Sequence, residues 1–255
     1  MNAMRSNLSA IKHKIAIVSG KGGVGKTFIA CNLAASLAKM GGKVSLLDAD
    51  IDCPNVNRAL GISEKVVERN QKLEPIQKFG FRVISMASWQ DQPHIPIAWR
   101  GPMVSKAILE FLELANWGDS DYLVIDMPPG TSDAALTMFQ DVRPDGVVIV
   151  TTPSQLSLLD ARRSGELSRM LHVPILGIVE NMSGPVFGEG SGSSIAHELM
   201  APFLGMVSLD ARYRESTDRG IPAVLESDGL LQQFVEMVRM MESELLKKGK
   251  PTQKA

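Results

Sequence analysis

The segment that most constrains the fold of this chain is a glycine-rich loop, GKGGVGKT, that runs from Gly20 to Thr27. The loop fits the phosphate-loop pattern G-x-x-x-x-G-K-[ST]. It stands between an apolar run of strand length, Lys14 to Ser19, and a helix-forming stretch, Phe28 to Lys39. Glycines are needed here because a backbone without Cβ atoms can curl its N–H groups around phosphate oxygens. The sequence therefore predicts a strand, a turn and a helix that together bind a phosphorylated ligand.

Further apolar runs follow at intervals, and helical spacing separates them. The runs are Lys43 to Asp48, Phe81 to Met86, Tyr122 to Asp126, Gly146 to Thr151, Ile175 to Asn181 and Leu204 to Leu209, and the helical stretches include Gly101 to Ala115 and Ser154 to Leu171. Such alternation, with little polar interruption within the runs, is typical of strands that helices cover on both faces. We predict an α/β fold with a single doubly wound, mostly parallel sheet flanked by helices on both faces.

No linker or repeat divides the chain, so we predict one domain over residues 1–255, with a core at about 14–226. A helix with one apolar stripe is expected at about 227–248 and is predicted to pack on the sheet rather than on a membrane. Two segments are predicted to have less regular structure. Gly61 to Gly80 is interpreted as a peripheral excursion, and Ser183 to Ser194 as a flexible loop.

Within the loop, Lys26 is expected to supply a charge for the β and γ phosphates, and Thr27 a hydroxyl for Mg²⁺. The same segment also satisfies G-x-G-x-x-G, the dinucleotide-binding pattern, and Asp48 stands where a ribose-binding acid would lie. That alternative explains neither the Lys-Thr pair nor a second strand-end acid, so a nucleoside triphosphate is favoured. The predicted nucleotide-binding residues of the loop are Gly20, Lys21, Gly22, Gly23, Val24, Gly25, Lys26 and Thr27.

Acids close two of the predicted strands, at the edge of the sheet where α/β folds bind ligands. Asp126 is the expected magnesium acid, and Gly130 could offer a backbone N–H to the γ-phosphate. Hydrolysis needs a water in line with that phosphate, and either Asp50 or Asp52 is near enough in sequence to orient it.

Composition limits the possible partners and the compartment. Lys and Arg total 27 against 28 Asp and Glu, a formal charge of −1, so no general attraction to nucleic acid or to anionic lipid is expected. The sequence has no signal-peptide pattern, and its two cysteines, Cys31 and Cys53, cannot build a disulfide framework. We therefore expect a cytoplasmic, reduced environment. The four histidines lack metal-ligand spacing.

Several motifs together resemble a known family. Lys21, directly after the first glycine of the loop, gives the deviant Walker A pattern of the ATPases that include MinD, ParA and the nitrogenase iron protein. The blocks that resemble the Mrp/ApbC iron-sulfur carrier subfamily more narrowly are DADIDCPN, WRGPMVSKA, DYLVIDMPPGTSD, VENMSG and FGEGSG.

The resemblance implies a homodimer that binds Mg-ATP between its subunits, with Lys21 reaching the phosphates of the other protomer. It implies that Asp50 rather than Asp52 orients the attacking water, and that Asn181 hydrogen-bonds adenine. The implied catalytic residues are Lys21, Lys26 and Asp50, and the implied metal-site residues are Thr27, Asp50 and Asp126.

One departure from the family concerns cysteine. The resemblance implies a Cys-x-x-Cys pair shortly after the ENMS segment, but no cysteine follows Cys53 in this sequence, so the usual cluster site is missing. Two copies of Cys53 across a symmetric dimer are one conceivable ligand set; a free thiol that behaves as a small apolar residue is the simpler interpretation.

We therefore predict an ATPase, slow and stimulated by a partner, that resembles iron-sulfur cluster carrier or assembly proteins and acts with acceptor or assembly partners. The alternative is a spatial or regulatory switch of the MinD/ParA type that carries no cluster.

Overall fold

The strands of this chain form one large sheet and one small hairpin. The computed structural model describes residues 7–51, 53–88, 101–130 and 132–248. Its strands are β1 (His13–Val18), β2 (Val44–Asp48), β3 (Val67–Arg69), β4 (Lys72–Glu74), β5 (Ile76–Lys78), β6 (Phe81–Ser85), β7 (Tyr122–Asp126), β8 (Gly146–Thr151), β9 (Ile175–Ser183) and β10 (Phe203–Ser208).

Helices join these strands. They are α1 (Lys26–Lys39), α2 (Val56–Ala59), α3 (Gly101–Leu114), α4 (Asp133–Thr137), α5 (Gln155–Met170), α6 (Ser191–Glu198), α7 (Ala211–Asp218) and α8 (Asp228–Lys248). A π-helical turn, Met138–Val142, extends α4, and short 3-10 turns lie at Met86–Ser88 and Ala223–Leu225.

The large sheet has the strand order β10-β9-β8-β1-β7-β2-β6-β5. All its neighbouring pairs are parallel except β5 with β6, while β3 and β4 form a separate antiparallel hairpin. From β1 the chain forms β2 and β6 on one side, returns to β7 between β1 and β2, and then forms β8, β9 and β10 on the other side, so the direction of the connections reverses at β1. Ligands of open α/β sheets bind beyond the carboxyl ends of the strands at such a point.

Side chains that alternate along the central strands enter two hydrophobic clusters, one on each face. Ile15 and Ile17 of β1 join the cluster that contains α1 and α8, whereas Ala16 and Val18 join the cluster that contains α3, α5 and α6. The sequence prediction of a doubly wound, mostly parallel sheet with helices on both faces is confirmed.

The segment from Ser183 to Ser194 is more ordered than the sequence predicted. Strand β9 continues to Ser183, a tight turn follows in which Gly188 N–H donates to Gly184 O at 2.7 Å, and α6 begins at Ser191. The carboxylate of Glu180 is the physical reason, because it accepts the backbone N–H groups of Gly190 and Gly192 at the start of α6. The prediction of a flexible loop was wrong for this segment.

The excursion from Gly61 to Gly80 contains the β3–β4 hairpin and also β5, which pairs with the edge of the main sheet. Three of the sequence motifs fall partly outside the described residues, at Asp52 of DADIDCPN, Trp99 and Arg100 of WRGPMVSKA, and Thr131 of DYLVIDMPPGTSD.

Helix α8 packs on the sheet through one stripe of side chains. Leu230, Phe234, Val238 and Met241 are buried in the same cluster as α1, while Leu246 on the opposite side is exposed. The predicted packing of this helix is confirmed. Among the described residues, no helix combines the length and the apolar character that a membrane span requires.

We predict that Phe234→Ala lowers the free energy of unfolding by about 3–5 kcal/mol, since it empties a fully buried site between α8 and α1. Urea denaturation measures the change. The matched control is Leu246→Ala on the same helix, for which a change within about 0.5 kcal/mol is expected. Equal effects of the two substitutions would contradict the packing of α8 described here.

Candidate functional site

The glycine-rich loop connects the end of β1 to the start of α1. Gly23 and Gly25 have φ angles of 81° and 83°, left-handed values that glycine adopts without strain. A Cβ atom on Gly22 or Gly23 would meet no heavy atom within 4 Å, so open space lies against this part of the backbone. Lys21 is half-exposed in the same turn, and its carbonyl accepts the Ser19 hydroxyl at 2.9 Å. The loop is thus an open concave turn at the N-terminus of a helix, a geometry suited to anions.

Two other glycines of the loop are there for close packing. A Cβ on Gly20 would lie 2.2 Å from the carbonyl oxygen of Asp160, so the backbone of α5 packs directly on the loop. A Cβ on Gly25 would lie 2.1 Å from Nδ2 of Asn181. The phosphate-loop pattern predicts neither contact, because both partners are more than 100 residues away in the sequence.

The carboxylate of Asp126, at the end of β7, holds two residues of the loop. Lys26 Nζ lies 2.5 Å from Asp126 Oδ1, and the Thr27 hydroxyl donates to Asp126 Oδ2 at 2.6 Å. The side chains of Lys26 and Asp126 are only 7% and 0% exposed. The parallel register of β1 with β7, which pairs Ile17 with Asp126, brings these groups together. An ammonium, a hydroxyl and a carboxylate therefore meet at one point below the loop.

Asp48, at the end of β2, pairs in register with Asp126 and is also buried. Its carboxylate accepts hydrogen bonds from Asp50 N–H at 3.2 Å, from Val56 N–H at 3.1 Å and from the Ser85 hydroxyl at 3.0 Å. Burial, and next the charge of Asp126, raises the pKa of Asp48 to about 8. Asp48 thus fixes both ends of the segment that follows β2. The sequence marked it as a strand-end acid and missed this role.

Asp50 and Cys53 lie in the segment that Asp48 holds. The Asp50 Oδ1 atom accepts the Cys53 N–H at 3.2 Å, and the Cys53 side chain is exposed. Cys31, by contrast, is buried in α1, where burial raises its pKa well above the usual thiol value. The interpretation of Cys31 as a core residue is confirmed. Asp52, the alternative water-orienting acid, is outside the described residues.

Gly130 follows β7 with a left-handed φ of 74°. Its N–H donates to Ser19 O at 2.9 Å, so it is already bonded to the base of the loop. The predicted contact of this N–H with a γ-phosphate requires that hydrogen bond to break.

Asn181, near the end of β9, is 5% exposed and donates from Nδ2 to Val24 O at 2.9 Å. Its neighbour Glu180 is fully buried and accepts from the Ser183 hydroxyl at 2.8 Å and from Gly190 N–H at 3.0 Å. A Cβ on Gly192 would lie 2.7 Å from Cβ of Glu180, which explains the glycine there. The sequence analysis missed Glu180. The signal available in the sequence was an acid directly before Asn181, followed by a glycine-rich segment.

The side-chain oxygen atoms of Thr27 and Asp126 lie 2.6 Å apart, and oxygen atoms are the ligands that Mg²⁺ prefers. Within the described ranges, no three His, Cys, Asp or Glu side chains come together as a set of metal ligands. Thr27 and Asp126 therefore offer two oxygen ligands, and a magnesium ion there would complete its six ligands with waters or other oxygens.

Comparison with known proteins gives related matches along most of the chain. Residues 10–243 match the ParA family of proteins described as NUBPL iron-transfer P-loop NTPase. An iron-sulfur cluster carrier protein of Methanocaldococcus jannaschii is 44% identical over 249 residues, which cover 92% of this chain and 86% of the relative. Another iron-sulfur cluster carrier protein, of Synechocystis sp., is 45% identical over 237 residues, which cover 87% of this chain and 67% of the relative.

Two solved structures are similar throughout. The nucleotide-binding protein of Archaeoglobus fulgidus in complex with ADP has a TM-score of 0.77 and 34% identity, and covers 89% of this chain and 94% of its own. The septum site-determining protein MinD of Pyrococcus horikoshii, complexed with Mg-ADP, has a TM-score of 0.71 and 25% identity, and covers 93% of this chain and 99% of its own.

We predict that Gly20→Ala destabilises the nucleotide-free protein by about 1–3 kcal/mol, because its Cβ would overlap the backbone of α5. Gly22→Ala, in the same loop but beside open space, should stay within about 0.5 kcal/mol. Thermal or urea unfolding separates the two. A stability loss as large for Gly22→Ala as for Gly20→Ala would show that the loop needs both glycines for another reason.

Proposed function

The chain belongs to the ParA-type family of NUBPL iron-transfer P-loop NTPases, and from that premise we propose that it binds and slowly hydrolyses Mg-ATP as a homodimer. The observation that supports the proposal most strongly is the buried contact of Lys26 and Thr27 with Asp126 below an open glycine-rich turn. A lysine, a hydroxyl and a carboxylate so placed are the groups that phosphate and magnesium recognition requires.

In the proposed complex the phosphates lie in the turn of residues 20–27 and accept its backbone N–H groups, aided by the dipole of α1. Lys26 exchanges its contact with Asp126 for the β and γ phosphates. Thr27 and Asp126 would hold Mg²⁺, directly or through its waters, and Asp50 is proposed as a third residue of the metal site. Bound there, Mg²⁺ would supply positive charge to the phosphate oxygens during transfer.

Hydrolysis needs positioning and charge stabilisation rather than a covalent intermediate. We propose that Asp50 orients the attacking water, because Asp48 holds the backbone on both sides of the segment that carries it. Release of Gly130 N–H from Ser19 O would free a donor for the γ-phosphate. Slow turnover follows if a partner is needed to complete this arrangement.

The remaining site residues extend the proposal to the nucleoside and to the second subunit. Asn181 packs against the loop at Gly25 and Val24, and its amide has both a donor and an acceptor for the edge of adenine. Half-exposed Lys21 is proposed to reach the phosphates of the second copy.

For cargo, the first candidate is an iron-sulfur cluster, which the names of the similar carrier proteins suggest. The cysteines of this chain do not fit a cluster held by four thiolates, since Cys31 is buried and Cys53 is the other cysteine of the sequence. Two subunits would supply two exposed thiols, so acceptor or assembly proteins would have to complete the set.

The second candidate is a regulatory or spatial switch without a cluster, in the manner of MinD or ParA. The single exposed cysteine per chain is the observation that favours it. For either role we propose a cytoplasmic location, in keeping with two free cysteines. The net charge of −1 argues against general binding to nucleic acid or to anionic membranes.

We predict that Lys26→Ala abolishes ATP binding, and that Thr27→Ala weakens binding of Mg-ATP about tenfold or more, the size of a lost hydrogen bond to a charged group. Asp50→Ala should bind Mg-ATP within about twofold of wild type but turn over at least about a hundredfold more slowly. Calorimetry and phosphate release measure both quantities.

Lys39→Ala, an exposed lysine at the other end of α1, is the matched control. Since Lys26→Ala leaves Asp126 buried without its ion pair, the unfolding temperature of each variant is measured first. Normal ATPase activity in folded Lys26→Ala would refute the proposed function, and Thr27→Ala tests the same site while keeping the ion pair.

The two candidate roles are separated by anaerobic reconstitution with iron and sulfide, followed by counting both per chain. If the chain carries a cluster, Cys53→Ser should lose it and Cys31→Ala should keep it, because only the Cys53 thiol is exposed. No bound iron and sulfide in the wild-type protein would contradict the carrier role for this chain alone and favour the switch.

A further inference from the structure

The strand order shows in which direction a bound nucleotide must lie. The phosphate loop follows β1, and the groups proposed to act on the γ-phosphate follow β7 and β2, on one side of β1. The nucleoside end therefore points to the other side, toward β8, β9 and β10. Neighbouring strands are about 4.8 Å apart. In the sheet, β9 and β10 are thus two and three strand spacings from β1, and Asn181 and the start of α7 lie near their carboxyl ends.

Two aromatic rings meet where the first turn of α1 faces the first turn of α7, the helix that follows β10. Phe28, the residue after Thr27 in the first turn of α1, stacks on Tyr213 of α7 with ring centroids 6.3 Å apart and planes tilted by 28°. Both side chains pack on the hydrophobic cluster of α1 and α8 but remain partly exposed. An apolar surface therefore begins one residue beyond the proposed magnesium-binding hydroxyl.

The ring pair is held in place from both helices. The Asn32 side chain accepts Val224 N–H at 2.9 Å and donates to Phe28 O at 2.8 Å, which fixes the first turns of α1. On the other side, Asp210 caps α7 by accepting Arg212 N–H at 2.8 Å, and the Thr217 hydroxyl donates to Tyr213 O at 2.9 Å. The backbone that carries each ring is thus held in place, and the rings contact each other.

Asn181 and Phe28 are both found at the C-terminal end of the glycine-rich turn. The Asn181 amide donates to Val24 O at 2.9 Å, and its Nδ2 atom would lie 2.1 Å from a Cβ on Gly25. Phe28 follows three residues after Gly25, in the first turn of α1. A polar group able to read a base and an apolar surface able to support one therefore adjoin the same end of the turn.

We propose that the exposed part of the Phe28–Tyr213 pair is the surface on which the ribose and base of a bound nucleoside triphosphate rest. The inference rests on the proposed function, because it assumes that the phosphates occupy the turn of residues 20–27. Contact between a base and aromatic side chains tolerates different bases, so the rings supply affinity for the nucleoside, whereas the Asn181 amide distinguishes one base from another.

The experiment compares binding of Mg-ATP with binding of magnesium tripolyphosphate, which has the phosphates but no nucleoside. Calorimetry is run on full-length wild type and on Phe28→Leu and Tyr213→Leu, which keep an apolar side chain but lose a ring. Phe28→Tyr retains the ring. Phe79→Leu, in the turn between β5 and β6 at the opposite edge of the sheet, is the matched control.

We expect each of the two ring-removing variants to bind ATP about tenfold more weakly, equivalent to about 1.4 kcal/mol, and to bind tripolyphosphate within twofold of wild type. Phe28→Tyr and Phe79→Leu should match wild type with both ligands. Unfolding curves without nucleotide establish that each variant is folded, and the two leucine variants, on different helices, test the pair independently.

Unchanged ATP affinity in both leucine variants would overturn the inference, and so would equal losses for ATP and tripolyphosphate, since the rings would then act only by shaping the phosphate loop. Failure of the wild-type protein to bind either ligand is a different result, because it would refute the proposed nucleotide function itself.

Discussion

A buried ion pair between Lys26 and Asp126 is the contact around which the site of this protein is arranged. It joins the first residue of α1 to the last residue of β7, and Thr27 adds a hydrogen bond to the same carboxylate. Loss of one partner of such a pair leaves an uncompensated buried charge, at a cost of about 3–5 kcal/mol. The pair therefore ties the geometry of the phosphate loop to the register of the sheet, and any ligand that attracts Lys26 must also offer Asp126 a new cation.

Close approaches of backbone and side chains determine the surroundings of that pair. Gly20 lets α5 reach the loop, Gly25 lets Asn181 reach it, and Gly192 leaves space for Glu180. Asp48 and Glu180 are buried carboxylates that accept backbone N–H groups from the segments that follow β2 and β9. The two sides of the site are thus organised in the same way: a buried acid near the end of a strand accepts backbone N–H groups of the segment that follows the strand.

The number of exposed cysteines limits which iron-sulfur cluster this protein could bind. Membership of an iron-transfer family suggests a cluster as cargo, whereas a buried Cys31 and one exposed Cys53 supply too few thiolates for a cluster within one chain or two. Nucleotide chemistry depends on none of these thiols. The proposed ATPase activity and the proposed cargo therefore depend on different residues.

The sequence by itself determined the fold class, the phosphate loop and the strands that end in Asp48 and Asp126, because those features are local: glycine spacing, apolar runs and helix-forming stretches. It misjudged the segment after Asn181, where a buried carboxylate orders a turn that glycine content alone describes as flexible. Only the tertiary structure decided which acid meets Lys26, that Gly130 N–H is bonded to Ser19, and that Phe28 stacks on Tyr213. These contacts join residues that are about 100 or more positions apart, so they depend on strand order and register, which no local pattern encodes.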